Sequence, residues 1–120
     1  TAAVTATNAK PQRKEGDTTT AEPKLDGLLA GVEHIAILGD SYSSGEGAGA
    51  YQNGTDGEPN GNSCHRSDNA YGKVLVKDAD PAAAATLIAC SGAVTADFYG
   101  NQVSGGAKVE PQLKRLRSLA

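Results

Sequence analysis

The sequence predicts an α/β domain built on a parallel sheet, and three observations lead there. An apolar run with β-branched residues, Val32-Glu33-His34-Ile35-Ala36-Ile37-Leu38, ends at Gly39. A second run, Thr86-Leu87-Ile88-Ala89-Cys90, comes later, and a helix-like stretch from Asn69 to Ala79 stands between the two. Runs that are apolar with little polar alternation mark strands covered on both faces, which is the habit of parallel sheets. Strand, crossover helix and strand form a βαβ unit, whose connection is expected to be right-handed.

Taken in chain order, residues 1–24 carry six Thr, Pro11, Pro23 and a mixed-charge run from Lys10 to Asp17, with Val4 as the one large aliphatic side chain. Without apolar surface to bury, ordering such a segment is not offset, and it reads as a disordered tail or linker. Arg13 and Lys14 could anchor an anionic surface, but Glu15 and Asp17 follow at once and weigh against it. The folded domain is expected over residues 25–120. In its helix Ala70, Tyr71, Val74 and Leu75 share one face, Asp68 is placed to cap the N-terminus, and Asp80-Pro81 breaks the pattern. A last helix is expected where Val109, Leu113, Leu116 and Ala120 recur at helical spacing, with Pro111 in its first turn. That pattern reaches Ala120 without a glycine C-cap.

Composition bounds the rest. A chain of 120 residues and 12.1 kDa makes one domain. Aromatic residues are 4%, Trp and Met are absent and Gly numbers 15, so the core must be a thin one of Ala, Val, Ile and Leu. No apolar stretch approaches the roughly 20 residues that span a bilayer. No charged-then-apolar segment opens the chain either, so any export signal is expected to have been removed. From Asp26 to Asn101 the basic residues are Arg66, Lys73 and Lys77 alone, against ten Asp and Glu. Nucleic acid would be repelled by that surface.

The chemically loaded segment is Gly39-Asp40-Ser41-Tyr42-Ser43-Ser44-Gly45, at the end of the first strand. Ligands of open parallel sheets bind beyond the carboxyl ends of strands, so Ser41 is a candidate nucleophile. A helix starting at Ser41 would offer N–H groups and a dipole to the oxyanion formed when a hydroxyl attacks an ester carbonyl. Asp40 and Ser41 could equally do no more than cap that helix, and Ser43 and Ser44 read as local caps. Gly45-Glu46-Gly47-Ala48-Gly49-Ala50 fits a dinucleotide fingerprint, but it does not follow its strand directly and loop residues come after it. Asp56, Glu58, Asn60 and Gly61 imitate a calcium loop, yet its twelfth position is Ser67 where a bidentate Glu is needed. No cofactor or metal is expected. Cys64 and Cys90 could be free thiols, a metal half-site or one disulfide, although no C-x-x-C or second ligand pair completes a zinc site.

These residues resemble a known family. Gly39-Asp40-Ser41-Tyr42-Ser43-Ser44-Gly45 is similar to the first block of the GDSL (SGNH) serine hydrolases, especially their secreted actinobacterial lipase and esterase branch. Cys64-His65-Arg66-Ser67, Ala70-Tyr71, Ala89-Cys90-Ser91-Gly92-Ala93 with Thr95 and Asp97, and Gln112-Leu113 resemble that branch in order and spacing. Gly72 departs from it, since the branch often has proline there. The resemblance implies a flavodoxin-like three-layer α/β/α fold, with this chain as its N-terminal portion. It implies Ser41 as nucleophile, the N–H groups of Ser41 and Gly92 as oxyanion donors, a structural Asp40, and a Cys64–Cys90 disulfide. Without the family, Gly92 reads as an ordinary strand-to-helix turn glycine.

The family's Gly-x-Asn-Asp and Asp-x-x-His blocks, which supply an oxyanion Asn and the general base, do not occur here. The two histidines fit that role poorly. His34 falls in the first strand, at the wrong end for Ser41, and His65 lies where the family has no catalytic residue. The expectation is therefore a secreted serine hydrolase of carboxylic esters or acyl lipids, acting through an acyl-enzyme on Ser41. Its base would come from a C-terminal half outside this chain. The alternative is a binding or scaffold module that keeps the fold without the catalysis.

Overall fold

A computed structural model describes residues 29–119. The tail expected over residues 1–24 and the helical position Ala120 lie outside them. The described elements run β1 (His34–Ile37), α1 (Ser41–Ser44), α2 (Tyr71–Ala79), β2 (Ala84–Leu87), a 3₁₀ turn (Thr95–Phe98), β3 (Gln102–Ser104), β4 (Ala107–Val109) and α3 (Gln112–Arg117).

β1 and β2 pair in parallel, with His34 opposite Ala84 and Ile37 opposite Leu87, and α2 crosses between them. The molecule is thus α/β with the expected βαβ unit. β2 begins at Ala84, earlier than the β-branched run, because pairing overrides alanine's weak strand preference: the Ala84 N–H donates to Glu33 O at 2.9 Å. Beyond Leu87 the chain stays tied to β1, with the Ile88 and Ala89 N–H groups on Ile37 O and that of Cys90 on Gly39 O. Ile37, Ala70, Leu87 and Ala89 form the buried centre, with Ile35 and Ala85 packed against it.

α2 differs from expectation in its cap and its face. Its N-cap is Ala70, without a side-chain cap. Asp68 instead accepts from Gln52 Nε2 at 3.1 Å and faces Lys73 Nζ at 3.9 Å. Of the four apolar positions assigned to the inner face only Ala70 is buried, and Tyr71, Val74 and Leu75 are exposed while Gly72 and Val76 point inward. The reason is a close approach. A Cβ on Gly72 would lie 2.7 Å from Ile37 Cδ1, so the bare backbone of Gly72 lets the helix rest on the sheet.

The C-terminal region is corrected too. Val109 belongs not to a helix but to β4, which pairs antiparallel with β3. Gly105 and Gly106, at φ 58° and 78°, make the hairpin turn, where two successive left-handed residues are needed. Pro111 is the N-cap of α3 rather than a first-turn residue, and the buried side chain of α3 is Gln112, whereas Leu113 is half-buried and Leu116 exposed. No helix among the described residues is long and apolar enough to cross a membrane.

Candidate active site

The segment after β1 is shaped by a glycine and held from across the chain. Gly39 sits at φ 139°, where a Cβ would come 2.5 Å from Ser43 Oγ, so a side chain there is excluded twice. The Gln112 carboxamide, 2% exposed, grips the Gly39 peptide units on both sides. Its Oε1 accepts from Gly39 N at 2.9 Å and its Nε2 donates to Gly39 O at 2.8 Å. Gln112→Met keeps the side chain's volume and removes both bonds, leaving a part-buried N–H without its acceptor. The expected loss is about 1–3 kcal/mol, read as a lower thermal midpoint, and an unchanged midpoint would refute the clamp's importance.

Asp40 then caps α1, its carboxylate accepting from Tyr42 N at 3.0 Å, which is the structural part expected of it. Ser41 is the first residue of α1. That helix is a single turn closed by Gly45 at φ 88°, too short to raise a macrodipole, so the sequence argument from the dipole reduces to individual N–H groups. Ser44 is buried and bonds back to Ser41 O at 3.1 Å, and Ser43 meets the Tyr71 hydroxyl at 3.1 Å, as local structural serines do. Gly45 packs on Ala70, whose Cβ would be 2.8 Å from an added Cβ, which presses the turn onto the core.

The turn after β2 is braced as firmly. Cys64 and Cys90, both fully buried, form a disulfide. The Ser91 N–H donates to Cys64 O at 3.0 Å, Gln102 Nε2 donates to Ser91 O at 2.9 Å, and the Ser91 hydroxyl donates to the Glu46 carboxylate. Arg66 donates to Ala89 O and Ile88 O at 2.9 and 3.0 Å, and its pKa is lowered by burial and then by Arg115. Gly92 follows at φ 78°.

The strand ends that lead into the two turns are joined by the bond from Cys90 N to Gly39 O at 3.1 Å. Ser41 and Gly92 each lie two residues beyond it, at the carboxyl ends of neighbouring parallel strands. Their flanking residues Asp40 and Ala93, with Val94, Thr95 and Phe98, line one open depression of about 510 Å³. Among the described residues neither the Ser41 hydroxyl nor the N–H groups of Ser41 and Gly92 meet a hydrogen-bond partner. A free hydroxyl and two free N–H groups are what acyl transfer needs.

Among the described residues neither histidine is hydrogen-bonded to Ser41, and the buried Nδ1 of His65 has no hydrogen-bond partner. His34 is exposed at the far end of β1, its Nε2 2.7 Å from Thr86 Oγ1. His65, at φ 48°, has its ring 5.3 Å from that of Tyr51, with Nε2 3.6 Å from Asp56 and Nδ1 3.9 Å from Glu46. The calcium-like loop is satisfied internally. Glu58 accepts from the Gly54 and Asp56 N–H groups at 3.2 and 2.7 Å. Backbone N–H groups, those of Glu58 itself and Asp56 foremost, lower its pKa. Among the described residues no group of three His, Cys, Asp or Glu side chains could hold a metal ion.

Sequence reasoning gave no role to Gln102 or Glu46 and none beyond family likeness to Arg66 and Gln112. All four act across long stretches of chain, for which neither periodicity nor local turn chemistry carries a signal. Compared with models of protein families, with curated proteins and with solved structures, the chain matches none.

Proposed function

We propose that this chain is the nucleophile-bearing portion of a secreted serine hydrolase of the GDSL (SGNH) kind, acting on carboxylic esters or acyl lipids. The observation that carries the reading is the pairing at the strand ends: a Ser41 hydroxyl and Ser41 and Gly92 N–H groups that are unbonded among the described residues, on strand ends joined through Gly39 and Cys90. In the reaction the Ser41 hydroxyl attacks the ester carbonyl carbon and its proton passes to a general base. The Ser41 and Gly92 N–H groups stabilise the oxyanion, the alcohol leaves with that proton, and water releases the acid from the acyl-serine. Among the described residues neither His34 nor His65 is hydrogen-bonded to Ser41, so the base is assigned to the remainder of the enzyme, which also extends the two-stranded parallel sheet into a flavodoxin-like three-layer fold. The Cys64–Cys90 disulfide supports an extracellular location.

One observation favours a second reading, a binding module that keeps this fold without turnover: among the described residues no base touches Ser41. An organophosphonate probe separates the two. In the full-length protein the probe is expected to add one phosphonyl group to the peptide bearing Ser41, and none to Ser41→Ala. No labelling would favour the binding module, and labelling at Ser43 or Ser44 instead would overturn the assignment of Ser41 as the nucleophile.

A further inference from the structure

We infer that Glu46 is a positioning residue that holds the Gly92 N–H in register with Ser41, an inference that rests on the proposed hydrolase reading. Glu46 touches both turns of the site. Its backbone N–H donates to Ser41 O at 3.1 Å, and its carboxylate accepts from the Ser91 hydroxyl, one residue before Gly92. The backbone on either side of Glu46 is fixed. Gly45 is buried against Ala70 and Ser67, and the Gly47 N–H donates to the Tyr51 hydroxyl at 2.7 Å. A side chain anchored in this way can act as a spacer between the turns.

Ser91 is held equally well on its main chain, by Cys64 O and by Gln102, but those bonds fix it to the disulfide and to β3, not to the nucleophile. The Gly39–Cys90 bond joins the strands before either turn begins. Glu46 is thus the tie between the turns themselves, reaching Ser41 through its main chain and Ser91 through its side chain. Oxyanion stabilisation depends on donors placed where charge develops, and a small displacement of one donor weakens the transition state more than it weakens substrate binding. Glu46 touches no reacting atom in this scheme. Its effect passes through Ser91 to Gly92.

The test is made in the full-length protein, with turnover of p-nitrophenyl butyrate normalised to active sites counted by organophosphonate titration. Glu46→Ala is expected to lower kcat by roughly 10- to 100-fold, with KM changing less than about two-fold. Glu46→Gln keeps an oxygen acceptor for the Ser91 hydroxyl and should recover most of the rate. Because the two residues act as one tie, Glu46→Ala with Ser91→Ala should be no slower than the slower single variant. A purely structural role would lower the number of titratable sites and leave kcat per site unchanged, and that outcome overturns the inference. So does a rise in KM at constant kcat, or multiplicative losses in the double variant. Ser41→Ala measured alongside keeps the two readings apart. An inactive Ser41→Ala with a normal Glu46→Ala overturns the role of Glu46 alone, whereas an active Ser41→Ala removes the nucleophile assignment and this inference with it.

Discussion

Replacing Ser41 by alanine in the full-length protein is expected to lower ester hydrolysis by a factor on the order of 10⁴ or more, with thermal unfolding almost unchanged. The two halves of that expectation have separate causes. In the proposed reaction the catalytic loss follows from removing the atom that would form the acyl-enzyme, which would leave only the oxyanion donors and substrate binding to act on water. The stability is spared because, among the described residues, the Ser41 hydroxyl makes no hydrogen bond whose loss would strand a partner. Ser44 makes the contrasting control. Its hydroxyl is buried and donates to Ser41 O, so Ser44→Ala should cost about 0.5–1.5 kcal/mol of stability and far less rate per folded molecule. Ser43→Ala loses only a contact with the Tyr71 hydroxyl and should resemble wild type more closely. Steady-state kinetics with unfolding curves on the three variants check this. Near-normal turnover by folded Ser41→Ala would sink the nucleophile assignment.

What the sequence made legible was what local chemistry specifies. The run ending at Gly39 and the break at Asp80-Pro81 carry their signal within a few residues and fall where expected, whereas the strand expected over Thr86–Cys90 is shifted to Ala84–Leu87 by its pairing with β1. The inner face of α2 differs from expectation too, because the periodicity argument counts apolar side chains and gives glycine no weight. Gly72 faces Ile37 by virtue of having no side chain, which turns Tyr71, Val74 and Leu75 outward. Gly105-Gly106 is the local chemistry of the β3–β4 hairpin, whereas the helical spacing of Val109, Leu113 and Leu116 points to a helix that starts too early. That spacing is shared between a strand residue and a short helix whose buried contact is the polar Gln112. At the site the strand-end serine was readable and its bracing was not. Gln112 to Gly39, Gln102 to Ser91 and Glu46 to Ser91 are contacts that only the folded chain brings together.

Loss of the Cys64–Cys90 bond is expected to be the largest single blow to stability. The bond closes a loop with a sequence separation of 26, which the chain-entropy account values at about 3.5 kcal/mol. Against a core whose centre is Ile37, Ala70, Leu87 and Ala89, that is a large share of the few kcal/mol by which small domains are stable. For a domain of this size the thermal midpoint should fall by roughly 15–25 °C. Both sulfurs are fully buried, so reductant alone should act slowly until the chain opens. The consequence reaches the site as well. Cys90 precedes Ser91 and Gly92 directly, and Cys64 O accepts the Ser91 N–H, so a cut bond loosens the turn that presents the Gly92 N–H. Hydrolysis per active site should therefore fall in reduced protein even below its lowered midpoint. Thiol titration of denatured, unreduced protein should find no free thiol, and calorimetry with and without prior reduction should show the drop. Two titratable thiols in freshly purified, unreduced protein, or a midpoint indifferent to reduction, would remove the disulfide from the account, and with it the support it lends to an extracellular location.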